Sequence, residues 1–278
     1  MAATPARFAI ILLSHGAGGT ALGMAWLGAS LAAHGYVVAA VNHPGNNALE
    51  PYTTRGFAEW SVRATDLSRV LDAMLVDPEF GSRIDKARIG AAGFSIGGHT
   101  VIDLARGVGT LDNFRAFCSS PRADDTCKDI PEFPHMEAWA VMNYIFRPSF
   151  RAALADEHNS HRDLRFRAVF AIAPALGPAF SVDSLERISV PVEMVAGGGD
   201  PIEPVRTNAE YLATHIPHAR LTVYPGGVSH YTFLGVCTKN GEKRLPELCH
   251  DAPGVGRTAI HQETAQKAVD FFDASLRR

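Results

Sequence analysis

Ser95 lies in a narrow frame of glycines that is typical of a reactive serine. The segment "AAGFSIGGHT" places Gly93 and Gly97 two positions on either side of Ser95, in the pattern G-x-S-x-G. A serine hydroxyl becomes a useful nucleophile only when a base removes its proton and the backbone exposes it. A sharp turn between a strand and a helix exposes the hydroxyl, and the glycines avoid clashes there. The alternative is a glycine-rich turn that carries an unreactive surface serine.

Two more residues supply the groups that an activated serine needs. Asp200 lies in "MVAGGGDPIEP" just past a predicted strand, and His230 lies in "YPGGVSHYTFL" after the last predicted strand. A histidine in such a loop can act as general base, and a carboxylate can fix its tautomer. The order serine, aspartate, histidine is the one expected for a strand-turn-helix nucleophile in an open sheet. The alternatives are Asp200 as a plain turn residue before Pro201, and Glu203 as the acid instead.

A second glycine-rich turn predicts donors for a developing negative charge. The segment "SHGAGGT" follows the first predicted strand. Backbone N–H groups that are free at such a turn can bind the oxyanion of an acyl-transfer intermediate. The expected donors are the amides of Ala17 and Ile96, while His15 braces the turn. The alternative is an ordinary glycine turn.

The elements that position these residues alternate along the chain. Apolar runs typical of strands cover six segments: 8–14, 36–43, 87–94, 166–175, 188–197 and 219–226. Helical periodicity covers five segments: 20–35, 57–75, 96–106, 203–216 and 258–276. Strands that are apolar on both faces and alternate with helices predict the α/β class, with a mostly parallel sheet covered by helices.

One segment interrupts this alternation. Residues 108–165 contain no strand pattern but include a predicted helix over 136–146. We expect residues 1–107 and 166–278 to form the core and 108–165 to form a cap over the strand ends, where open sheets bind ligands. The alternative is a solvated loop without a role.

Aromatic side chains near these segments are candidates for substrate contacts. The candidates are Phe94, Trp139, Tyr144, Phe146, Tyr231 and Phe233. Each of them has the alternative of packing in the core or the cap. The polar loop over 42–57 follows a strand end and is a candidate for the opposite wall.

The four cysteines have no metal-binding or redox spacing. Cys118 and Cys127 are nine residues apart, Cys237 and Cys249 are twelve apart, and both pairs lie in polar, loop-like sequence. We expect two disulfides, Cys118–Cys127 and Cys237–Cys249, which would indicate an oxidising compartment. Four reduced thiols in a cytosolic protein are the alternative.

Charge and hydropathy narrow the function classes. The formal net charge is −3, without a basic patch for nucleic acid, and no apolar run approaches the roughly 18 residues that span a bilayer. The N-terminal residues do not form a signal-peptide pattern, which favours the cytoplasm, whereas paired cysteines with a trimmed N-terminus would favour the periplasm or secretion. No histidine motif has metal spacing, so we expect no metal and no cofactor.

Taken together, the motifs resemble the α/β-hydrolase superfamily from Phe8 onwards. The segments "SHGAGGT", "GFSIGG", "AIAPALG", "GGGDPIEP" and "SHYTFLGVC" look like the bacterial predicted dienelactone hydrolases that are similar to platelet-activating-factor acetylhydrolases. True dienelactone hydrolases have a cysteine nucleophile where this sequence has Ser95, so the resemblance implies a serine esterase. It implies that Ser95, Asp200 and His230 form the triad, and that both cysteine pairs are family features.

The expected activity is hydrolysis of a small-molecule carboxylic ester. Hydrolysis of an amide or peptide uses the same groups, and the cap residues Asp124, Asp125 and Glu137 are candidates for recognising a substrate amine. A non-catalytic binding protein of the same fold is the third alternative. Compared with the superfamily, the sheet begins at what would be its third strand. Either the fold is trimmed, with an exposed sheet edge that a homodimer can cover, or the sequence is short at its N-terminus.

Overall fold

The computed structural model describes residues 7–128 and 144–276. Its centre is a six-stranded sheet in which every neighbouring pair of strands is parallel. The strands, in chain order, are β1 (Phe8–Ser14), β2 (Val37–Val41), β3 (Ile84–Phe94), β4 (Phe166–Ile172), β5 (Val192–Gly197) and β6 (Arg220–Tyr224). They lie in the order β2-β1-β3-β4-β5-β6, which confirms the predicted α/β class.

Helices connect the strands. In chain order they are α1 (Ala25–Ala33), α2 (Thr54–Ala58), α3 (Val62–Val76), α4 (Ile96–Ala105), α5 (Leu111–Cys118), α6 (Pro148–Asp156), α7 (Val182–Glu186), α8 (Ala209–His215), α9 (Lys239–Arg244), α10 (Pro246–Cys249) and α11 (Arg257–Ser275). Short 3-10 helices cover Ala21–Met24, Gly81–Arg83, Asp125–Cys127, Gly177–Ala179 and His230–Phe233.

Strand β1 shows why the sheet is covered on both faces. Successive side chains of a strand point to opposite faces. Ile10 and Leu12 belong to one buried cluster, and Ile11 and Leu13 belong to the other. Helices α3, α4 and α8 supply apolar side chains to the first cluster, whereas α1 and α11 supply them to the second. A parallel sheet buried between two helical layers is therefore the direct consequence of strands that are apolar on both faces.

The element ends differ from the predicted ones for local reasons. The predicted helix over 57–75 is broken at Glu59–Ser61, so that α2 ends before the break and α3 begins after it. The strand predicted over 166–175 ends at Ile172 because Ala173 has a φ of 42°, which turns the chain out of the sheet. The predicted helix over 203–216 begins only at Ala209, after a turn region.

The segment predicted as a cap is helical where it is described. It contains α5, the 3-10 helix Asp125–Cys127 and α6, with one isolated bridge between Gly109 and Phe180. Most of the helix predicted over 136–146 lies outside the described residues. The division of the chain into core and cap stays a prediction.

Both predicted disulfides are present. Cys118 is bonded to Cys127, and Cys237 is bonded to Cys249. The first bond joins the end of α5 to the 3-10 helix Asp125–Cys127, and the second closes a loop that follows His230. The alternative of four free thiols is therefore wrong for this structure.

The ends of the sheet are β2 and β6. In β2, which pairs with β1, Ala40 is exposed and residues 37–39 are half-buried. A homodimer across this edge stays a prediction.

In residues 7–128 and 144–276, each helix is too short or too polar to span a lipid bilayer.

Candidate functional site

Ser95 stands on a sharp turn at the carboxyl end of β3, immediately before α4. Its backbone has φ 57° and ψ −122°, outside the regions that ordinary residues populate. A β-carbon on Gly93 would lie 2.0 Å from the carbonyl oxygen of Gly97, and one on Gly97 would lie 2.0 Å from that of Ser14. Glycine is thus required at both positions because other parts of the backbone lie too close for a side chain. This close packing of the surrounding backbone holds Ser95 in its strained conformation.

The serine side chain contacts the predicted histidine and, through it, the predicted aspartate. His230 Nε2 lies 2.9 Å from Ser95 Oγ, and His230 Nδ1 lies 2.7 Å from Asp200 Oδ2. A carboxylate only accepts, so Nδ1 of neutral His230 carries the proton and Nε2 is left to accept the serine hydroxyl. This arrangement lets the imidazole take the serine proton and lets the carboxylate stabilise the resulting imidazolium.

Asp200 is positioned by the turn that follows β5. Its Oδ1 accepts hydrogen bonds of 2.9 Å from the amides of Ile202 and Glu203, while Oδ2 faces His230. The carboxylate is completely buried. Hydrogen bonds from two amides compensate that burial and leave one oxygen for the imidazole. Asp200 thus serves as a turn residue and as the histidine's partner at once, whereas Glu203 contacts the amide of Leu176.

His230 begins a 3-10 helix whose position depends on the following loop. Thr232 Oγ1 donates to Asp251 Oδ1 at 2.7 Å, and Arg257 Nε donates to Asp251 Oδ2 at 2.9 Å. Arg257 also donates to the carbonyl oxygens of Gly235 and Leu248. The loop closed by the second disulfide is therefore fastened to the helix that carries His230.

Two backbone amides beside Ser95 have no acceptor within the described part of the chain. They belong to Ala17 and Ile96, and both residues line the same cavity as Ser95. The neighbouring amides are used, because Gly18 N donates to Asn46 Oδ1 at 2.7 Å and Gly19 N donates to the Gly16 carbonyl at 3.2 Å. Unused donors next to a nucleophile are what an oxyanion requires.

Ser95 opens into a cavity of about 210 Å³. Its lining is predominantly apolar, with three aromatic residues; the residues are Ala17, Asn46, Phe57, Trp60, Ser95, Ile96, Phe114, Thr126, Lys128, Ala175, Leu176 and Glu203. The rings of Trp60 and Phe114 are nearly perpendicular, with centroids 6.1 Å apart. The first disulfide holds part of this wall, since Phe114 lies on α5 and Thr126 lies beside Cys127.

The aromatic residues predicted to contact substrate lie elsewhere in the described structure. Phe94 and Phe233 are buried, and the Phe94 ring packs 4.9 Å from the His230 ring. Tyr231 also packs against His230. These side chains support the histidine and are not part of the cavity wall.

The three candidates from the segment 108–165 have different surroundings. Tyr144 donates a hydrogen bond to Glu59 and packs on Phe150. Phe146 is exposed, and Trp139 lies outside the described residues.

The cavity aromatics Phe57, Trp60 and Phe114 were not identified from the sequence. Phe57 ends the polar loop predicted as the opposite wall, which also supplies Asn46. Trp60 fits the helical periodicity of the following segment, but the break before α3 removes it from that helix. The only sequence signal for this part of the wall is that Phe57 and Trp60 lie together at the start of the predicted helix over 57–75.

Of the candidate amine-binding acids, Asp124 accepts from Thr207 and Asp125 pairs with Lys128. Glu137 lies outside the described residues. Within the described ranges, no three His, Cys, Asp or Glu side chains are grouped as a metal would require. His99, one helical turn after Ser95, is buried against Phe180, and burial lowers its pKa to about 3. It therefore stays uncharged beneath the site.

Comparison with known proteins places this geometry in a family. Residues 10–235 match the model described as the alpha/beta hydrolase family. Cutinase est1 of Thermobifida alba is 34% identical over 100 residues, which cover 35% of this chain and 30% of that protein. Lipase 1 of Moraxella sp. (strain TA144) is 36% identical over 80 residues, covering 29% and 22%.

A third relative is named for a different activity. The non-heme haloperoxidase of Rhodococcus erythropolis is 42% identical over 60 residues, covering 22% of this chain and 20% of that protein. The chain thus matches less than a third of the length of each of these relatives.

Proposed function

Because the chain belongs to the alpha/beta hydrolase family, we propose that it hydrolyses carboxylic esters, with Ser95 as nucleophile, His230 as general base and Asp200 orienting His230. The observation that carries this proposal is the continuous contact from Ser95 Oγ to His230 and on to Asp200. The cutinase and lipase relatives support the same reaction class, although they match only part of this chain.

The reaction proceeds through an acyl-enzyme. Ser95 Oγ attacks the ester carbonyl while His230 Nε2 takes the hydroxyl proton. The tetrahedral intermediate collapses, the C–O bond to the alcohol breaks, and His230 returns the proton to the leaving alcohol. Water, deprotonated by His230, then attacks the acyl carbon; the C–O bond to Ser95 breaks, His230 returns the proton to Ser95 Oγ, and the acid is released. The Asp200 carboxylate stabilises the imidazolium in both steps.

The amides of Ala17 and Ile96 bind the oxyanion in this account. Ile96 is the first residue of α4, so its N–H is one of the donors that a helix leaves unpaired at its N-terminus. A donor aimed at a developing charge contributes about 3 kcal/mol to the transition state. Both donors are fixed before substrate binds, so the reaction requires no reorganisation of the site.

The cavity favours a short acyl group as substrate. Its volume of about 210 Å³ lies below the ~300–1,000 Å³ that is usual for pockets of drug-sized ligands. Its mostly apolar wall suits an alkyl or aryl group, and we infer a small-molecule ester. The motifs of the sequence support the finer proposal of an esterase similar to the dienelactone hydrolases that resemble platelet-activating-factor acetylhydrolases. We further propose that residues 108–165 act as its cap.

The two disulfides support a location in an oxidising compartment, such as the periplasm or the cell exterior. Titration of thiols in the unfolded protein without reductant should then find none. Four free thiols in protein isolated from its native compartment would overturn this part of the proposal.

Labelling with a fluorophosphonate tests whether Ser95 is activated. The probe phosphonylates a serine that is deprotonated by a neighbouring base. We expect one label per chain on wild-type protein, none on Ser95→Ala and slow labelling of His230→Gln. Equal labelling of wild type and Ser95→Ala would reject Ser95 as the nucleophile.

A further inference from the structure

A second chain of serine, histidine and aspartate lies beneath the turn that holds Ala17. Ser14 Oγ is 2.9 Å from His43 Nε2, and His43 Nδ1 is 2.9 Å from Asp66 Oδ2. The same atoms are therefore in contact as at Ser95: serine Oγ with histidine Nε2, and histidine Nδ1 with aspartate Oδ2. Ser14 ends β1, His43 follows β2 and Asp66 lies on α3, so the chain links three elements.

Burial excludes this second chain from direct chemistry. Ser14 is 0% exposed and His43 is 1% exposed, whereas Ser95 lines the open cavity. A substrate carbonyl has no access to Ser14. A buried network of hydrogen-bonded side chains that does not react can act by holding neighbouring segments in a fixed position.

The proton positions in the chain follow from its partners. Burial lowers the pKa of His43 well below 6.5, so its ring is neutral near neutral pH. The Asp66 carboxylate accepts a hydrogen bond from the Nδ1–H of His43, and Nε2 is left to accept a hydrogen bond from the Ser14 hydroxyl. Nδ1 of His43 is therefore a donor and Nε2 an acceptor, while Ser14 Oγ donates to His43 and also lies 3.5 Å from the donor Nη2 of Arg63.

The series of hydrogen bonds continues from His43 to His15. The backbone N–H of His43 donates to His15 Nε2 at 3.1 Å, so the proton of neutral His15 lies on Nδ1. Nδ1 donates in turn to the carbonyl oxygen of Gly16 at 2.6 Å. Arg63, also on α3, donates to the carbonyl oxygen of His15 and is buried. Its Nε lies 3.3 Å from Thr100 Oγ1 on α4.

The peptide between Gly16 and Ala17 connects this chain to the reaction. In a trans peptide, the C=O and the N–H point in opposite directions. A Gly16 carbonyl held toward the His15 ring therefore directs the Ala17 N–H away from that ring. This N–H is one of the two unused donors at the Ser95 cavity.

We propose that Asp66, His43 and Arg63 are positioning residues for the oxyanion site, which orient the Ala17 amide through His15. The proposal rests on the ester hydrolysis proposed above, because it assigns the Ala17 amide to that reaction. The three residues act on the transition state and not on the bound substrate, since the oxyanion exists only there.

The test is a comparison of Asp66→Asn with Asp72→Asn. Asp72 lies on the same helix α3, but it is 64% exposed and pairs with Arg165, so its variant serves as the matched control. In Asp66→Asn, the amide can donate to Nδ1 and shift the His43 proton to Nε2, which removes the acceptor for Ser14. Complete loss of one oxyanion donor costs about 10²–10³-fold in kcat, so misorientation is expected to cost about tenfold or more.

Two readouts separate positioning from a general structural role. With p-nitrophenyl butyrate, kcat should fall about tenfold or more while KM changes less than about twofold. The inhibition constant of butylboronic acid, which forms a tetrahedral adduct on an active serine, should rise by the same factor as kcat/KM falls. A purely structural role would change the melting temperature and KM without this parallel.

Ser14→Ala provides the second variant in case Asp66→Asn does not fold. It removes only the hydroxyl at the end of the chain, and the same parallel loss of kcat and boronate affinity is expected, at smaller size. Unchanged kcat and unchanged boronate affinity in either folded variant would overturn the inference. If hydrolysis persists in Ser95→Ala, the proposed function fails instead, so the two failures are distinguishable.

Discussion

The α-carbon of Gly97 faces the carbonyl oxygen of Ser14 so closely that a methyl group there would lie 2.0 Å from that oxygen. This contact fixes the first turn of α4 against the end of β1. Because β1 leads into the turn that holds Ala17, the two proposed oxyanion donors are set relative to each other by backbone packing. Neither backbone segment can yield as a flexible side chain would.

Replacing Gly97 by alanine should therefore destabilise the protein strongly. The added methyl group forces β1 and α4 apart, and overpacking of this severity costs about 3 kcal/mol or more. Gly23→Ala is the control, since a β-carbon on Gly23 meets no atom within 4 Å. Urea unfolding of both variants measures the difference. Similar unfolding midpoints for Gly97→Ala and wild type would show that the contact is not tight.

Phe114 is expected to limit the length of the acyl chain. It forms one wall of the cavity with Trp60, so Phe114→Ala should enlarge the space beside Ser95. The ratio of kcat/KM for p-nitrophenyl octanoate to that for the acetate should rise about threefold or more, because each newly buried methylene contributes about 0.8 kcal/mol. Phe80→Ala is the control, because Phe80 lies before β3, at the opposite end of the strand from Ser95. An unchanged ratio in Phe114→Ala would show that the acyl chain of the ester does not bind beside Phe114.

Arg257 is expected to matter for both stability and turnover. The Arg257–Asp251 pair is almost buried, with side chains 7% and 11% exposed. In Arg257→Gln the charge of Asp251 loses its partner, so we expect a loss of about 3 kcal/mol in unfolding free energy. We also expect a lower kcat, because Thr232 is held by Asp251 next to His230.

An exposed ion pair provides the control for Arg257. Arg187 pairs with Asp183, and both side chains are more than half exposed, so Arg187→Gln should cost at most about 1 kcal/mol. Equal unfolding free energies for the two variants would contradict the role assigned to Arg257.

His161 is expected to make stability depend on pH. Its ring lies 3.4 Å from Asp103 and 3.1 Å from Asp156, and hydrogen bonding to Asp103 above all raises its pKa from 6.5 to about 9. A folded-state pKa above the unfolded value stabilises the fold fully below pH 6.5, and this contribution is lost as the pH rises through about 9. The urea midpoint of wild type should therefore fall between pH 6 and pH 9.5 more than that of His161→Gln. Parallel curves would reject the ion pair as the cause.

The sequence predicted the sheet and the candidate triad because their signals are local. Strands that are apolar on both faces identify themselves over a few residues, and parallel strands bring their carboxyl ends, with Ser95, Asp200 and His230, to one edge of the sheet. The glycines of the turns are a local signal too, because backbone segments that approach closely exclude any larger residue.

The cavity wall was not predictable because it depends on contacts between distant segments. Phe57 and Trp60 line the cavity beside Ser95 because the helix is interrupted between α2 and α3, and Phe114 is brought there by the segment 108–165. Phe94 and Phe233 are close to Ser95 and His230 in the sequence. Adjacent residues point in different directions, and these two rings instead pack behind the histidine.

Hydrolysis of p-nitrophenyl acetate, butyrate and octanoate by wild type and Ser95→Ala is the direct test of Ser95 as the nucleophile of an esterase. We expect turnover by wild type, strongest with the short esters, and a fall of about 10⁴-fold or more in Ser95→Ala at an unchanged melting temperature. Wild-type rates in Ser95→Ala, or no turnover of any ester by wild type that is folded and disulfide-bonded, would contradict it.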